Sequence, residues 1–420
     1  MTRVRNNSIF KTDLNASKHF GAKEIHLLHV IKNIHIPATP ALFLFILFLP
    51  FILEGVTFFT GIGFKGYLSG YVDKLEKIHF PIQAYANRDY QKNIESQIKS
   101  YINLRGQLIR LYNQIQFTFF KLSRSAVVGE NGNIFEMEYI NAECGLTTDQ
   151  DFSLYENAQK LNNYANHLKS IQNKLNKLNK YFIFVITPSK ATLNFQDIPL
   201  KYRLKKRDDF LPPYYYLKKM LKSKGITYID SRDYFSKDSI PDFYTTGIHW
   251  ARPTEQRVSQ ALVKMMSELS KKNLKQINFS TINTRDFPYK RDADVYNLTN
   301  LIRKPRGTYY EYKYQKNANE DYSVPKFLIQ GGSFSQGFYW YDYGYYSKES
   351  YKIFYNEAIQ EKDEKEQFIK KWTDVDFAKI LSNVDFVIIE LNETRIHNFS
   401  NGFADYLDSF LDLNAKSEGK

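Results

Sequence analysis

The chain has 420 residues, 25% of them charged and 43% hydrophobic, a globular balance with length enough for one large core or two domains. Its 58 Lys and Arg against 45 Asp and Glu give a net charge of +13, which favours acidic partners. No compact basic block, RNP, zinc-finger or Gly-rich phosphate motif accompanies that charge, so nucleic acid is not an expected partner.

Cys144 is the only cysteine, which excludes an internal disulfide and a cysteine metal cluster; in "NAECGL" it reads as a small core hydrophobe. Residues 1–35 form a basic segment, with Arg3, Arg5, Lys11, Lys18, Lys23 and Lys32 against Asp13 and Glu24. The stretch 36–59, "IPATPALFLFILFLPFILEGVTFF", follows. Its centre, Ala41 to Leu53, carries no charge, and its length reaches the roughly 20 apolar residues a bilayer needs. Pro50 is a kink that membrane helices tolerate. A signal peptide fits less well, because the leader is long and no small-residue cleavage pattern follows. The pattern predicts one retained transmembrane anchor in an inner (cytoplasmic) membrane. The basic N-terminus stays inside, and the main domain is periplasmic or extracellular.

Residues 60–124 are expected to be a helical linker region. Within it, 85–122 reads as a helix, with apolar residues at Ile94, Ile98, Tyr101, Leu108, Tyr112, Ile115 and Phe119. "AVVGENGNIFEMEY" (126–139) changes period and reads as strand, turn at Asn131–Gly132, strand. Residues 154–180 read as an amphipathic helix with Leu161, Tyr164, Leu168, Ile171, Leu175 and Leu178 on its core face.

Four apolar runs then end in polar residues: "YFIFVITPSKATL", "ITYIDSRDYF", "KFLIQGGSF" and "DFVIIELNE". Helical patterns such as Glu255–Leu269 intervene, which argues an α/β sheet covered on both faces. In such sheets a site forms at the carboxyl ends of the strands, where Ser189, Lys190, Asp230, Ser333, Asn392 and Glu393 fall. The main domain is expected over 125–412, with a flexible tail at 413–420.

In "FLIQGGSFSQG", Ser333 follows an apolar strand and two glycines, Gly331 and Gly332, which permit a sharp turn that exposes the hydroxyl. Backbone N–H groups at this turn, of Gly332 and Ser333, are candidates to hold an oxyanion. His249, in "YTTGIHWARPTEQ", is the candidate base on a loop before a helix start. "FYWYDYGYY" (338–346) offers Tyr339, Trp340, Tyr341 and Tyr343 as sugar-stacking candidates, beside Trp250. Asn392 and Glu393 are candidates to shape the pocket. No two histidines stand at ligand spacing in the candidate site, so neither a metal nor a cofactor is expected.

Five stretches, in order, resemble the alginate O-acetyltransferase AlgX/AlgJ type, a branch of the SGNH-hydrolase-like proteins. They are "VVGENGNIFE" (127–136), "VITPSKATL" (185–193), "FYTTGIHW" (243–250), "KFLIQGGSFS" (326–335) and "DFVIIELNETRI" (385–396). The resemblance covers about residues 125–400. It implies a three-layer α/β/α SGNH-like domain with a central, mainly parallel sheet. It matches Ser333 to the family's acyl-accepting serine and His249 to its base. Two positions depart from the family: its catalytic Asp, two residues before the histidine, is Gly247 here, and the Asp before its nucleophile is Gly332. Asp242 and Asp230, with Asp238, are the nearby carboxylates that can replace the missing acid.

The expected function is therefore a membrane-anchored O-acetyltransferase acting on hydroxyls of an exported polysaccharide, acidic or neutral. The resemblance implies that a membrane-bound O-acyltransferase protein supplies the acetyl group. A catalytically impaired SGNH-like module that binds polysaccharide or an assembly protein is the alternative, as is an acetyl esterase.

Overall fold

A computed structural model of the chain describes residues 38–62, 66–70, 91–92, 94–95, 105–236, 239–315, 322–338, 350–356, 358–361, 368–370 and 374–418. The chain divides into two units, residues 1–67 with 73–106 and residues 68–72 with 107–420. The first contains helix α1 (Ala38–Thr60), in which Pro50 lies inside the helix. Its 22 residues from Thr39 to Thr60 are long and apolar enough to cross a bilayer, and none of that stretch is buried in protein.

Helix α2 (Arg105–Phe120) belongs to the second unit from Gln107 onward. Two short antiparallel strands follow, β1 (Val127–Val128) and β2 (Ile134–Phe135). The turn between them uses Asn131 and Gly132 at φ +52° and +75°, the left-handed region that asparagine and glycine accept most readily. The second expected strand ends at Phe135, because Met137–Cys144 coils into helix α3 with Gly145 as its left-handed cap. Cys144 is buried in α3, where burial pushes its thiol up to about 11.

Helix α4 (Tyr155–Lys177) then leads into β3 (Tyr181–Thr187). Helix α5 (Pro213–Ser223) leads into β4 (Tyr228–Asp230), and helix α6 (Arg252–Ser270) begins with Pro in its first turn, where the missing N–H costs nothing. An antiparallel pair, β5 (Phe279–Arg285) and β6 (Tyr309–Tyr314), carries the short helix α7 (Asp294–Leu298) in its long connection. The remaining strands are β7 (Phe327–Gly331), β8 (Tyr351–Phe354), β9 (Ala358–Glu361), β10 (Phe368–Lys370) and β11 (Phe386–Asn392). Helices α8 (Phe377–Asn383) and α9 (Phe403–Glu418) complete the described chain.

The main sheet runs β10-β9-β8-β7-β11-β3-β4. The five strands β8, β7, β11, β3 and β4 are parallel, while β9 and β10 are antiparallel additions at one edge. Alternation along the strands separates two cores. Ile183, Val185, Ile329 and Ile388 face Val258, Leu262 and Met266 of α6. Phe182, Phe184, Leu328 and Val387 face Leu168 and Leu175 of α4, Leu217 of α5 and Leu407 of α9. Each such side chain contributes on the order of 1.5–3 kcal/mol by leaving water. The result is the expected three-layer α/β/α arrangement around a mainly parallel sheet.

The four apolar runs form β3, β4, β7 and β11, and the helix pattern at 154–180 is α4. The helix expected within 85–122 is described from Arg105 to Phe120, and most of the stretch before Arg105 lies outside the described residues. Within 85–122, the described helix from Arg105 onward leaves Leu108, Tyr112, Ile115 and Phe119 exposed. The tail is helical as far as Glu418, since nothing in "LNAKSE" breaks α9.

Candidate active site

Parallel pairing aligns the carboxyl ends of the central strands. Gly331 ends β7 opposite Phe354 of β8, and Asn392 of β11 lies opposite Thr187 of β3. Ser333 therefore emerges just past β7, in one 3-10 turn spanning 333–335. Tyr355 emerges beside it, just past β8.

The glycines before Ser333 are required by space, because neither has a positive φ. A Cβ on Gly331 would lie 2.7 Å from Glu390 Oε2, and one on Gly332 would lie 2.9 Å from the Tyr355 ring. Ser335 closes the turn by donating from its backbone N (3.2 Å) and Oγ (2.6 Å) to Gly332 O. Arg291 donates from Nη1 to Ser333 O at 2.8 Å, and its Nη2 meets Glu255, which ties the turn to the start of α6.

His249 lies on a loop closed by an antiparallel bridge between Phe243 and Trp250. Lys190 fixes this loop from below. Its buried ammonium lies 3.1 Å from Ile134 O, 2.8 Å from both Tyr244 O and Thr245 O, and 2.9 Å from Gly247 O. His249 Nε2 is 2.7 Å from Ser333 Oγ. The two residues, 84 positions apart in the chain, thus meet at hydrogen-bond distance.

The partner of His249 Nδ1 is Asp294, the first residue of α7. Its Oδ2 meets the imidazole, while Oδ1 accepts from Ile248 N at 3.1 Å and Val295 N at 2.8 Å. Burial alone would raise the Asp294 carboxyl; hydrogen bonding and charge from His249, with the two backbone donors, hold it below the usual carboxylate range. A Cβ at Gly247 would lie 2.8 Å from Arg291 O and 3.1 Å from Asp294 Oδ1. Residues 291–294, leading into α7, thus fill the space that the absent side chain at 247 leaves open.

The two carboxylates expected to replace the acid lie elsewhere. Asp242 accepts from Arg257 (2.8 Å), Thr254 Oγ1 (2.5 Å) and Ser236 N (3.0 Å). Asp230 caps the turn after β4 by accepting from Arg232 N, and binds Tyr214 and Lys218. Asp238 lies outside the described residues. No sequence signal singled out Asp294: it lies 45 positions beyond the histidine, in a polar stretch with a second aspartate, Asp292.

The backbone donors also differ from expectation. Gly332 N donates to Glu390 Oε2 at 2.8 Å and is thereby occupied. Ser333 N donates to Tyr355 Oη at 3.2 Å, and the Tyr355 hydroxyl in turn donates to Ser333 Oγ at 3.4 Å. Ser333 N and the Tyr355 hydroxyl are thus the polar groups beside the nucleophile candidate.

Trp250 is not a sugar platform. It is buried, packs edge-on against Phe334 and Phe338, and donates from Nε1 to Glu255. Glu393 is buried as well, bonded to Ser189 N, Thr192 Oγ1 and Arg232. Asn392 does line the cavity, but its side chain is spent on Pro188 O and on capping the following turn at Thr394. Tyr339, Trp340, Tyr341 and Tyr343 lie outside the described residues.

Around Ser333 and His249 lies a cavity of about 280 Å³, whose further wall includes Glu136, Gln330, Tyr355, Arg395, Asn398 and Asn401. Burial first, then Asp294 and Glu138, raise the Glu136 carboxyl against the opposing pull of Arg395. Among the described residues, no cluster of His, Cys, Asp and Glu could hold a metal ion.

Residues 146–348 match the family model described as "SGNH hydrolase-like domain, acetyltransferase AlgX". That span contains Ser333, His249 and Asp294. No curated protein matches the chain. The O-acetyltransferase domain of Pseudomonas putida AlgJ is 16% identical, with 68% of this chain and 98% of that one covered and a TM-score of 0.42. Pseudomonas aeruginosa AlgX is 13% identical over 67% of each chain, with a TM-score of 0.40. Bacillus cereus PatB1 is 11% identical over 57% of this chain and 90% of its own, with a TM-score of 0.37. On the family match, residues 146–348 are an AlgX-type, SGNH hydrolase-like domain.

Proposed function

We propose that the chain is a membrane-anchored O-acetyltransferase that moves acetyl groups onto polysaccharide hydroxyls through an acetyl-Ser333 intermediate. One observation carries this reading: the unbroken contact chain from Ser333 Oγ through His249 to Asp294. In that arrangement Asp294 fixes the imidazole with its proton on Nδ1, which leaves Nε2 free to accept. Ser333 Oγ attacks the acetyl carbonyl of the donor as His249 Nε2 takes its proton, and the leaving group departs with that proton. A sugar hydroxyl then attacks the acetyl-serine carbonyl and passes its proton to Nε2, and Ser333 Oγ leaves and recovers it. The Tyr355 hydroxyl, and Ser333 N once it exchanges its bond to Tyr355 Oη for one to substrate, are the donors nearest the negative oxygen of each tetrahedral intermediate.

Helix α1 would hold the domain at the membrane, with residues 1–35 inside and residues 60–420 outside. The acetyl group would come from a membrane-bound O-acyltransferase protein, and the glycan would be an exported one. The reading of an impaired binding module rested on Gly247 and Gly332, and the contact of Asp294 with His249 supports the enzyme over it. An esterase differs only in using water in the second step.

The test uses the full chain in detergent with p-nitrophenyl acetate, with and without an oligosaccharide acceptor. The expected result is nitrophenol release that Ser333→Ala and His249→Ala abolish, with acetylated oligosaccharide as a product. Release equal in all three proteins would overturn the acyl-enzyme. Release giving only free acetate would make the protein an esterase.

A further inference from the structure

Helix α2 is amphipathic in the wrong sense for a helix that packs on a soluble core. At 100° per residue, Leu108, Leu111, Tyr112, Ile115 and Phe119 share one stripe. All five are between 42% and 75% exposed. The opposite side is held to the domain largely by polar contacts. Arg110 donates to Leu301 O at 2.9 Å, Asn113 to Thr299 O at 2.8 Å, and Gln114 accepts from Arg303 N at 3.0 Å. Phe117 adds a ring contact with Tyr296. The helix is therefore seated by these three polar residues and Phe117, and turns Leu108, Leu111, Tyr112, Ile115 and Phe119 outward.

The loop that seats it continues the same chemistry. Ile302 and Phe287 are exposed at 56% and 58%, and Arg303, Lys304 and Arg306 are exposed beside them. Past the end of α2 stand Lys121 and Arg124, also exposed. Neither 107–124 nor 298–307 contains a single Asp or Glu. A recess of about 510 Å³ lined by Arg110, Phe287, Tyr296, Arg303, Lys304 and Pro305 adjoins the loop. Ser69, joined to Asn300 by reciprocal hydrogen bonds of 2.7 and 3.0 Å, follows Thr60 at the end of α1 by nine residues. These nine residues make a tether of at most about 32 Å of chain.

From this apolar stripe, the cations flanking it and the short tether, we propose that the outward face of α2 with the 302–306 loop is a docking surface for an anionic lipid bilayer. The apolar stripe enters the headgroup–acyl boundary as an interfacial helix does. The cations meet acidic headgroups, where each Lys or Arg near the surface contributes about 1 kcal/mol. This inference does not depend on the acyl-transfer reading.

The test uses the full chain in vesicles, either zwitterionic or containing phosphatidylglycerol. Single cysteines at Ile115→Cys and, as a control, Tyr155→Cys carry an environment-sensitive fluorophore; Cys144 is buried and leaves the labelling specific. Tyr155 is 82% exposed at the start of α4, which packs on the other face of the sheet. In anionic vesicles, brominated lipid is expected to quench the label at 115 at least threefold more than that at 155. Charge reversal by Arg303→Glu with Lys304→Glu is expected to halve that difference. Equal quenching at the two positions, with equal access to aqueous iodide, would overturn the proposal. A label at 115 shielded from both iodide and brominated lipid would also overturn it, in favour of a protein partner or a second copy.

Discussion

Asp294 is the residue on which the proposed chemistry turns, and its role differs in kind from that of Asp242. Asp294→Asn keeps the shape of the side chain but can present an amide to His249 Nδ1. We expect nitrophenyl acetate turnover to fall about 10³–10⁴-fold with little change in melting temperature. Asp242→Asn weakens the bonds to Arg257, Thr254 and Ser236 N. It is expected to cost about 1–3 kcal/mol in denaturant midpoint experiments while turnover per folded molecule stays within about twofold. Glu390 behaves in the opposite way to Asp294. Burial raises its carboxyl against the pull of Thr187, Gly332 N and Lys352. A folded-state pKa above the unfolded one means stability is lost as pH rises from the unfolded value through the folded one. Glu390→Gln should therefore be more stable than wild type at neutral pH, with the difference vanishing as pH falls to about 4, the unfolded carboxyl range. Chemical denaturation of both proteins across that window checks the sign. At this scale Ser333 and His249 were singled out through the resemblance, with the strand, two glycines and serine as the local cue, and the structure sets His249 Nε2 2.7 Å from Ser333 Oγ. Asp294 was not legible, because it arrives from a distant segment through space that Gly247 leaves open. Trp250 misled, because its neighbours Phe334 and Phe338 enclose it only in three dimensions.

At the scale of elements, β3, β4, β7 and β11 were legible because parallel strands buried on both faces read as unbroken apolar runs. Strand β5, "FSTINTR", is exposed along most of its length and carries no such run. Strand β8, "YKIF", hides because it buries a lysine, Lys352, whose Nζ has no hydrogen-bond partner among the described residues. Helix α2 had the expected period over its described residues, but a period alone does not say whether an apolar stripe turns inward. The element most exposed to a single change is the His249 loop. Lys190→Met would leave carbonyls of β2 and of residues 244–247 without their shared donor. A loss of about 3 kcal/mol is expected, together with a fall in turnover per folded molecule. Lys190→Arg is expected to rescue stability more than turnover, because the planar guanidinium cannot reproduce the position of a compact ammonium. If both variants keep wild-type turnover, the loop does not depend on this staple.

At the scale of the whole molecule, fold class followed from the alternation of apolar runs and helical patterns. The family followed from five short stretches in order, now joined by the match over residues 146–348. The net charge of +13 was legible as a number but not as a place. Part of it gathers in acid-free segments beside an exposed apolar helix, while the wall of the Ser333 cavity carries Glu136, Asp294 and Glu390 against Arg395. The basic balance thus speaks more directly to a membrane surface than to the charge of the glycan. The account is tested most directly by mass spectrometry of the peptide containing Ser333 after brief exposure of the full chain to p-nitrophenyl acetate. Acetyl should be found on Ser333 in the wild type, be absent from His249→Ala, and form far more slowly in Asp294→Asn. Acetyl found elsewhere, or on Ser333 at equal rates in all three proteins, would contradict the account.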